Sequence, residues 1–135
     1  MPELPFPDDV RALLAKPNPA VVGTLRSDGQ PVSVATWYLL EDDDRVLLNM
    51  DETRVRLRHL RRDPRLTLTV LDESGWYTHV SLIGRVVEMA DDEGLADIDR
   101  LSTHYTGRPY SYRESPRVSA WMVVDRWHGW GAVTD

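Results

Sequence analysis

The chain has 135 residues, 41% of them hydrophobic and 28% charged, with no cysteine. That length suits one domain with a real core, and the missing cysteine excludes a disulfide framework, a thiolate zinc site and a cysteine nucleophile. The net charge of -6 argues against general nucleic-acid or membrane binding. No run of roughly eighteen apolar residues marks a membrane helix, and the first residues lack the basic and apolar regions of a signal peptide, so a cytoplasmic location is expected.

The predicted elements follow in chain order. Pro7-Asp8-Asp9 opens a short helix with Val10, Leu13 and Leu14 on one face, and Pro17 and Pro19 close it. Residues 20–25 read as a strand, Ser27-Asp28-Gly29 as a hairpin turn, and residues 32–40 as a second strand rich in β-branched and aromatic side chains. Asp42-Asp43-Asp44 turns the chain into a third strand, residues 45–50.

The next stretch is the most informative. Six of the fifteen arginines fall between Arg54 and Arg65. Val55, Leu57 and the interleaved arginines alternate with strand period, while Thr53, Leu57 and Leu60 fit a helical stripe. A short helix is preferred, with Asp51 or Glu52 at its start and Pro64 as its stop. Residues 66–71 are then a strand, 72–75 a turn, 76–89 a long strand bent at Gly84, 91–105 a helix, 106–116 a loop and 120–130 the last strand. Six antiparallel strands with peripheral helices suggest a closed or half-closed β-barrel in a single domain spanning residues 1–135, with a sandwich as the alternative.

A cationic cluster on an acidic molecule needs a local reason. It is either a solvated helix face with scattered surface ion pairs or an anion site. In an anion site, Thr53 and the backbone amides at a helix start meet a phosphate while Arg54, Arg56 and Arg58 supply charge. Nucleic acid is a third option, weakened by the acidic total and by the lack of aromatics within the cluster. Of the five tryptophans, Trp76 follows a turn and Trp127 and Trp130 lie near the C-terminus, positions that suit packing, a planar ligand or a dimer seam. The four histidines show no metal-ligand spacing, and no phosphate loop, dinucleotide fingerprint or nucleophile elbow is present. The carboxylates cluster in turns, where they serve as solubilising caps.

Three stretches together resemble a known family. They are Thr24-Leu25-Arg26-Ser27-Asp28-Gly29-Gln30-Pro31 with the strand to Tyr38, the arginine segment ending Leu60-Arg61-Arg62-Asp63-Pro64-Arg65, and Gly75-Trp76 with residues 80–86. Nearly the whole chain resembles the pyridoxamine 5'-phosphate oxidase-like split β-barrel proteins, and within them the branch that uses the deazaflavin coenzyme F420. The resemblance implies a six-stranded antiparallel split barrel of the flavin mononucleotide-binding type, forming a homodimer with a cofactor site at the interface. It implies that Arg54, Arg56 and Arg58 hold the cofactor phosphate. The ring would lie along Ser33, Val34, Ala35 and Thr36, with Met50 and Asp51 close by, and the partner would add Trp76 and the Trp127 to Trp130 region. The family usually has Lys at the position of Arg56, a change that keeps the charge, and often Asn at that of His59. The implied activity is hydride transfer from reduced coenzyme F420 to an electron-poor conjugated small molecule, with a proton from water or from Tyr38, Tyr77 or Tyr105. The alternatives are a flavin mononucleotide (FMN) oxidoreductase of the same fold and a non-catalytic cofactor carrier.

Overall fold

From Ala20 onward the alternation of apolar and polar residues resolves into strands that share one sheet. The computed structural model describes residues 1–134. Its elements are α1 (Asp8–Leu14), β1 (Ala20–Leu25), β2 (Pro31–Thr36), β3 (Leu39–Leu40), β4 (Val46–Asp51), α2 (Val55–Arg62), β5 (Arg65–Leu71) and β6 (His79–Asp91), then a single 3-10 turn (Glu93–Leu95), α3 (Ala96–Thr106) and β7 (Arg117–Trp130). The seven strands run in the order β2-β1-β5-β6-β7-β4-β3 and pair antiparallel throughout.

The seventh strand arises where one was expected. Residues 32–40 read as a single strand, but the ladder breaks at Trp37 and Tyr38. Tyr38 is fully buried, and its hydroxyl donates to the Leu14 carbonyl at 2.8 Å. Trp37 stacks on Tyr105, with ring centroids 5.3 Å apart. Both side chains leave the pleat to pack, and the backbone changes partners: β2 pairs with β1, and β3 pairs with β4. The two edges of the sheet are thus successive halves of one stretch of chain. Thr36 and Leu39 are three peptide units apart, at most about 11 Å, so the edges must come together and the sheet rolls into a split barrel.

The barrel interior holds Leu48, Met50, Leu68, Leu82 and Met122, closed by Val10, Leu13 and Leu14 of α1 and by Leu57 and Leu60 of α2. On the other face of β4, Leu47 meets Ile98 and Leu101 of α3. Both faces of β4 are therefore covered, which accounts for its unbroken burial from Val46 to Met50.

The two longest strands bend to serve both halves of the barrel. The register of β6 on β7 slips between Ile83 and Gly84 and again between Val86 and Glu88. A Cβ at Gly84 would lie 1.9 Å from the Val123 carbonyl oxygen, so the expected bend at this glycine is a β-bulge that admits no side chain.

Several boundaries differ from expectation, including the start of β7 at Arg117 rather than at residue 120. The helix predicted over residues 91–105 opens with the 3-10 turn, because Gly94 (φ 65°) and Leu95 (φ 58°) are left-handed. Residues 72–78 form one longer turn, so Trp76 precedes β6 rather than starting it.

Candidate functional site

The helix α2 is built from Val-Arg-Leu-Arg-His-Leu-Arg-Arg. Leu57, His59 and Leu60 turn inward, Arg54, Arg58, Arg61 and Arg62 are exposed, and Arg56 is half-buried. The helix has no acidic residue in its first turn, and its N-cap, Arg54, makes no side-chain capping bond. Asp51 and Thr53 do not cap it: Asp51 Oδ1 accepts from the Thr53 N–H at 2.9 Å and from the Thr53 hydroxyl at 2.7 Å. Those bonds, with one to Ser115, hold the Asp51 carboxyl down at about 2.

The arginines sort into two groups. Outside residues 54–62, every arginine except Arg108 and Arg117 forms an ion pair with a carboxylate. Inside, none of Arg54, Arg56, Arg58, Arg61 and Arg62 does so among the described residues. Arg62 donates instead to the Leu25 carbonyl at 3.0 Å. Burial lowers the pKa of Arg56, and the neighbouring charges of Arg54 and Arg117 lower it further. The scattered surface pairs that would mark a merely solvated helix face are absent here.

Beside α2, a groove follows β2 in two compartments that meet at Arg56. The first, of about 510 Å³, is lined by Thr24, Arg26, Ser33, Arg54 and His59 together with apolar side chains that include Val34. The second, of about 690 Å³, has Ala35, Thr36, Trp37, Tyr105, Tyr110 and Arg117 among its walls. As an edge strand β2 pairs only with β1, and most of its residues are exposed.

His59 ties the first compartment together. Its Nδ1 lies 3.0 Å from the Thr24 hydroxyl. Burial, reinforced by Arg62, Arg26 and Arg58, lowers its pKa below the usual value of 6.5, so the imidazole is neutral at pH 7. In the second compartment, Arg117 Nε donates to Asn49 Oδ1 at 2.7 Å, and its guanidinium lies 4.9 Å from the centre of the Tyr110 ring. Asn49 donates in turn to Asp92 at 3.0 Å and to the Ser119 hydroxyl at 3.1 Å. Asp92 also accepts the Asp97 and Ile98 amides, each at 2.8 Å, and so caps α3.

The structure brings Ser33, Val34, Ala35, Thr36, Arg54 and Arg56 together around the groove. Thr53 and Arg58 are exposed on α2 and the turn before it, where the Thr53 hydroxyl is engaged by Asp51. Met50 points into the barrel core at 1% exposure. Trp127 is 2% exposed, packs edge-on against Phe6 and donates its indole N–H to the Glu3 carbonyl at 3.3 Å, so neither Met50 nor Trp127 faces the groove of its own subunit. Trp76 is 69% exposed in the 72–78 turn, outside the groove walls.

Of the three candidate proton donors, two are already engaged. The Tyr105 hydroxyl donates to the Asn18 carbonyl at 2.6 Å, and burial pushes its pKa up to about 12. Burial also raises Tyr38, whose hydroxyl donates to Leu14. Tyr77 is exposed beside Trp76.

Sequence reasoning missed Arg26, His59, Tyr110 and Arg117 as groove residues. Arg117 lies far from the cluster in sequence and reaches it only because β7 pairs with β4 in a register that sets Asp51 opposite Arg117.

The donor set suits a phosphate-bearing planar cofactor. Unpaired guanidinium groups stand beside hydroxyls and a neutral imidazole, next to an open strand edge that can meet a flat ring. Among the described residues no group of three His, Asp or Glu side chains could hold a metal ion, and no helix is long and apolar enough to cross a membrane.

Residues 6–131 match the family model described as pyridoxamine 5'-phosphate oxidase. Among solved structures, the chain is similar to an F420 reductase at 22% identity, with a TM-score of 0.82 over 90% of this chain and 98% of the other. It is similar to a conserved hypothetical protein from Mycobacterium tuberculosis at 24% identity, with a TM-score of 0.71 over 95% and 86%. A third is General Stress Protein 26 from Bacillus anthracis, at 16% identity and a TM-score of 0.67 over 91% and 92%. No curated protein matches the chain.

Proposed function

The chain belongs to the pyridoxamine 5'-phosphate oxidase family, a family of flavin-type oxidoreductases, and from that premise we propose that it is a cytoplasmic reductase dependent on coenzyme F420. The observation that carries this reading is the set of unpaired arginines on α2, beside a groove floored by the open strand β2. In it, Arg54 and Arg56 hold the coenzyme phosphate with the Thr24 and Ser33 hydroxyls nearby. Residues Ser33 to Thr36 receive the ring edge along the backbone. The coenzyme, when reduced, supplies a hydride to an electron-poor conjugated acceptor.

The chain's own part is to bind, orient and exclude water. With the Tyr38 and Tyr105 hydroxyls engaged by backbone carbonyls, the balancing proton comes from solvent or from Tyr77 of the partner subunit. The preference for the deazaflavin over FMN rests on charge. The F420 tail carries a phosphate and an oligoglutamate, and Arg58 and Arg61 provide cationic groups beyond those one phosphate needs. The functional unit is a homodimer. Its second subunit places the exposed Trp76 and Tyr77 of the 72–78 turn over the groove.

Side-by-side equilibrium binding of apoprotein to F420 and to FMN tests the reading. Tighter F420 binding that weakens as salt rises supports it. A preference for FMN moves the protein to the flavin branch, and tight F420 binding without turnover on any conjugated acceptor makes it a carrier. Binding of neither cofactor sinks the proposal.

A further inference from the structure

In the larger compartment, Arg117 and Tyr110 carry chemistry that the cofactor reading does not use. Arg117 is held in a fixed pose by Asn49 at its Nε and by the Tyr110 ring under its face. Asn49 is itself fixed by Asp92 and Ser119, and all three are buried. With Nε engaged, the terminal nitrogens form the fork that a carboxylate matches with two parallel hydrogen bonds. Asp51, opposite Arg117 in the β4–β7 register, directs its carboxylate to Thr53 and forms no ion pair with it. Arg56 lines the same compartment, is half-buried and lacks a carboxylate partner. Trp37 and Tyr110, set edge to face at 6.2 Å, add aromatic wall.

We propose that Arg117 forms a second anion-binding point, next to the Arg56 that the cofactor reading already engages, and that the molecule reduced in this groove is a planar, conjugated carboxylic acid. Its carboxylate sits on the Arg117 fork and its conjugated plane lies against Trp37 and Tyr110. The compartment of about 690 Å³ is in the size range of pockets that hold one small molecule. Anchoring the acid at one end leaves its conjugated part to extend along β2, where the cofactor ring is proposed to lie. The word "reduced" rests on the oxidoreductase reading; the anion-binding point does not.

The test uses probes of defined charge: cinnamate, 1-naphthoate and sorbate, each paired with its methyl ester. Binding is followed by tryptophan fluorescence and calorimetry, on the apoprotein and on protein loaded with whichever cofactor binds. The acids are expected to bind about tenfold or more tightly than their esters, as a charge-assisted bidentate contact requires. Arg117→Met should abolish that gap while changing cofactor affinity less than about threefold. Arg117→Lys should restore part of the gap, since it returns the charge without the fork. Tyr110→Leu, which spares the buried polar network, should narrow the gap by about two- to fivefold.

Equal binding of acids and esters overturns the proposal, as does a gap that survives Arg117→Met or the failure of every acid to bind. If Arg117→Met weakens cofactor binding as much as acid binding, Arg117 belongs to the cofactor's phosphate site and the proposal also fails. The apoprotein arm keeps these outcomes separate from failure of the reductase reading, which shows as loss of cofactor binding alone. Should Arg117→Met fail to fold, the Lys and Tyr110 variants decide.

Discussion

The helices α2 and α3 are both short and both lie against the same sheet, yet the fold treats their charges in opposite ways. On α3 the arginine and both carboxylates find ion-pair partners. Arg100 pairs with Glu41 and Asp97, Arg113 pairs with Asp99, and the Asp92 carboxylate caps the N-terminus. On α2 no ion pair forms among the described residues. Five arginines stand without a carboxylate, the N-terminus is uncapped, and Arg58 and Arg62 are like charges one turn apart. Such pairs cost an isolated helix about 0.2–0.5 kcal/mol each. Arginine content is thus a weak indicator of a site. What distinguishes α2 is that, among the described residues, no carboxylate comes within ion-pair distance of its arginines, although Asp28 and Asp63 lie near Arg62; the proposed anion would supply that partner.

The comparison can be broken from either side. The largest effect is expected on the completed helix. Asp92→Ala removes the cap of α3 and leaves one Asn49 N–H and two backbone amides unpaired, and it should cost about 3 kcal/mol in urea unfolding. A loss below about 1 kcal/mol means that Asp92 does not organise this region. On the incomplete helix, the large effect should fall on binding. Arg56→Ala should raise the cofactor Kd by about 10- to 100-fold, the loss of a charge-assisted contact, with bound-state chemistry nearly unchanged. Normal binding with lost turnover would refute the positioning role.

A third effect is pH-dependent. The folded-state pKa of His59 lies below its unfolded value of about 6.5, so the neutral form's contribution to stability is complete above that pH and is lost as the pH falls through the folded value. Denaturation midpoints should drop between neutral pH and pH 5, and His59→Asn should flatten that slope. An equal slope in the variant assigns the drop to other groups. The smallest effects are a matched pair of opposite sign. The triple change Arg54→Gln, Arg58→Gln and Arg61→Gln should leave the free protein as stable or more stable by about 0.5 kcal/mol at low salt. Arg100→Gln should lower stability by a similar amount. If the triple variant is clearly destabilised, α2 is already neutralised by a route not described above.

Much of the frame was legible in the chain. The turns at residues 27–29 and 42–44, the bend at Gly84 and the apolar stripe of α2 are local signals, and each sits close to where periodicity and turn chemistry put it. What stayed hidden was non-local. Nothing in residues 32–40 announces that Trp37 and Tyr38 abandon the ladder, because the reason lies in Leu14 and Tyr105. Trp127 reads as a candidate ligand platform until Phe6 and the Glu3 carbonyl are found around it. The same limit applies to the site. The cationic half is contiguous in sequence and could be found there, whereas Arg117 and Tyr110 join it only through strand register and a returning loop.

The strand that floors the groove has pairing on one side and little cover on either face. In terms of local unfolding, β2 belongs among the first segments to open, while β4, covered on both faces, belongs among the last. A ligand lying along Ser33 to Thr36 closes the groove against that opening. Amide hydrogen exchange should therefore slow most in β2 when the cofactor binds and change least in β4. Occupancy of the groove would then be readable strand by strand, without any assay of turnover.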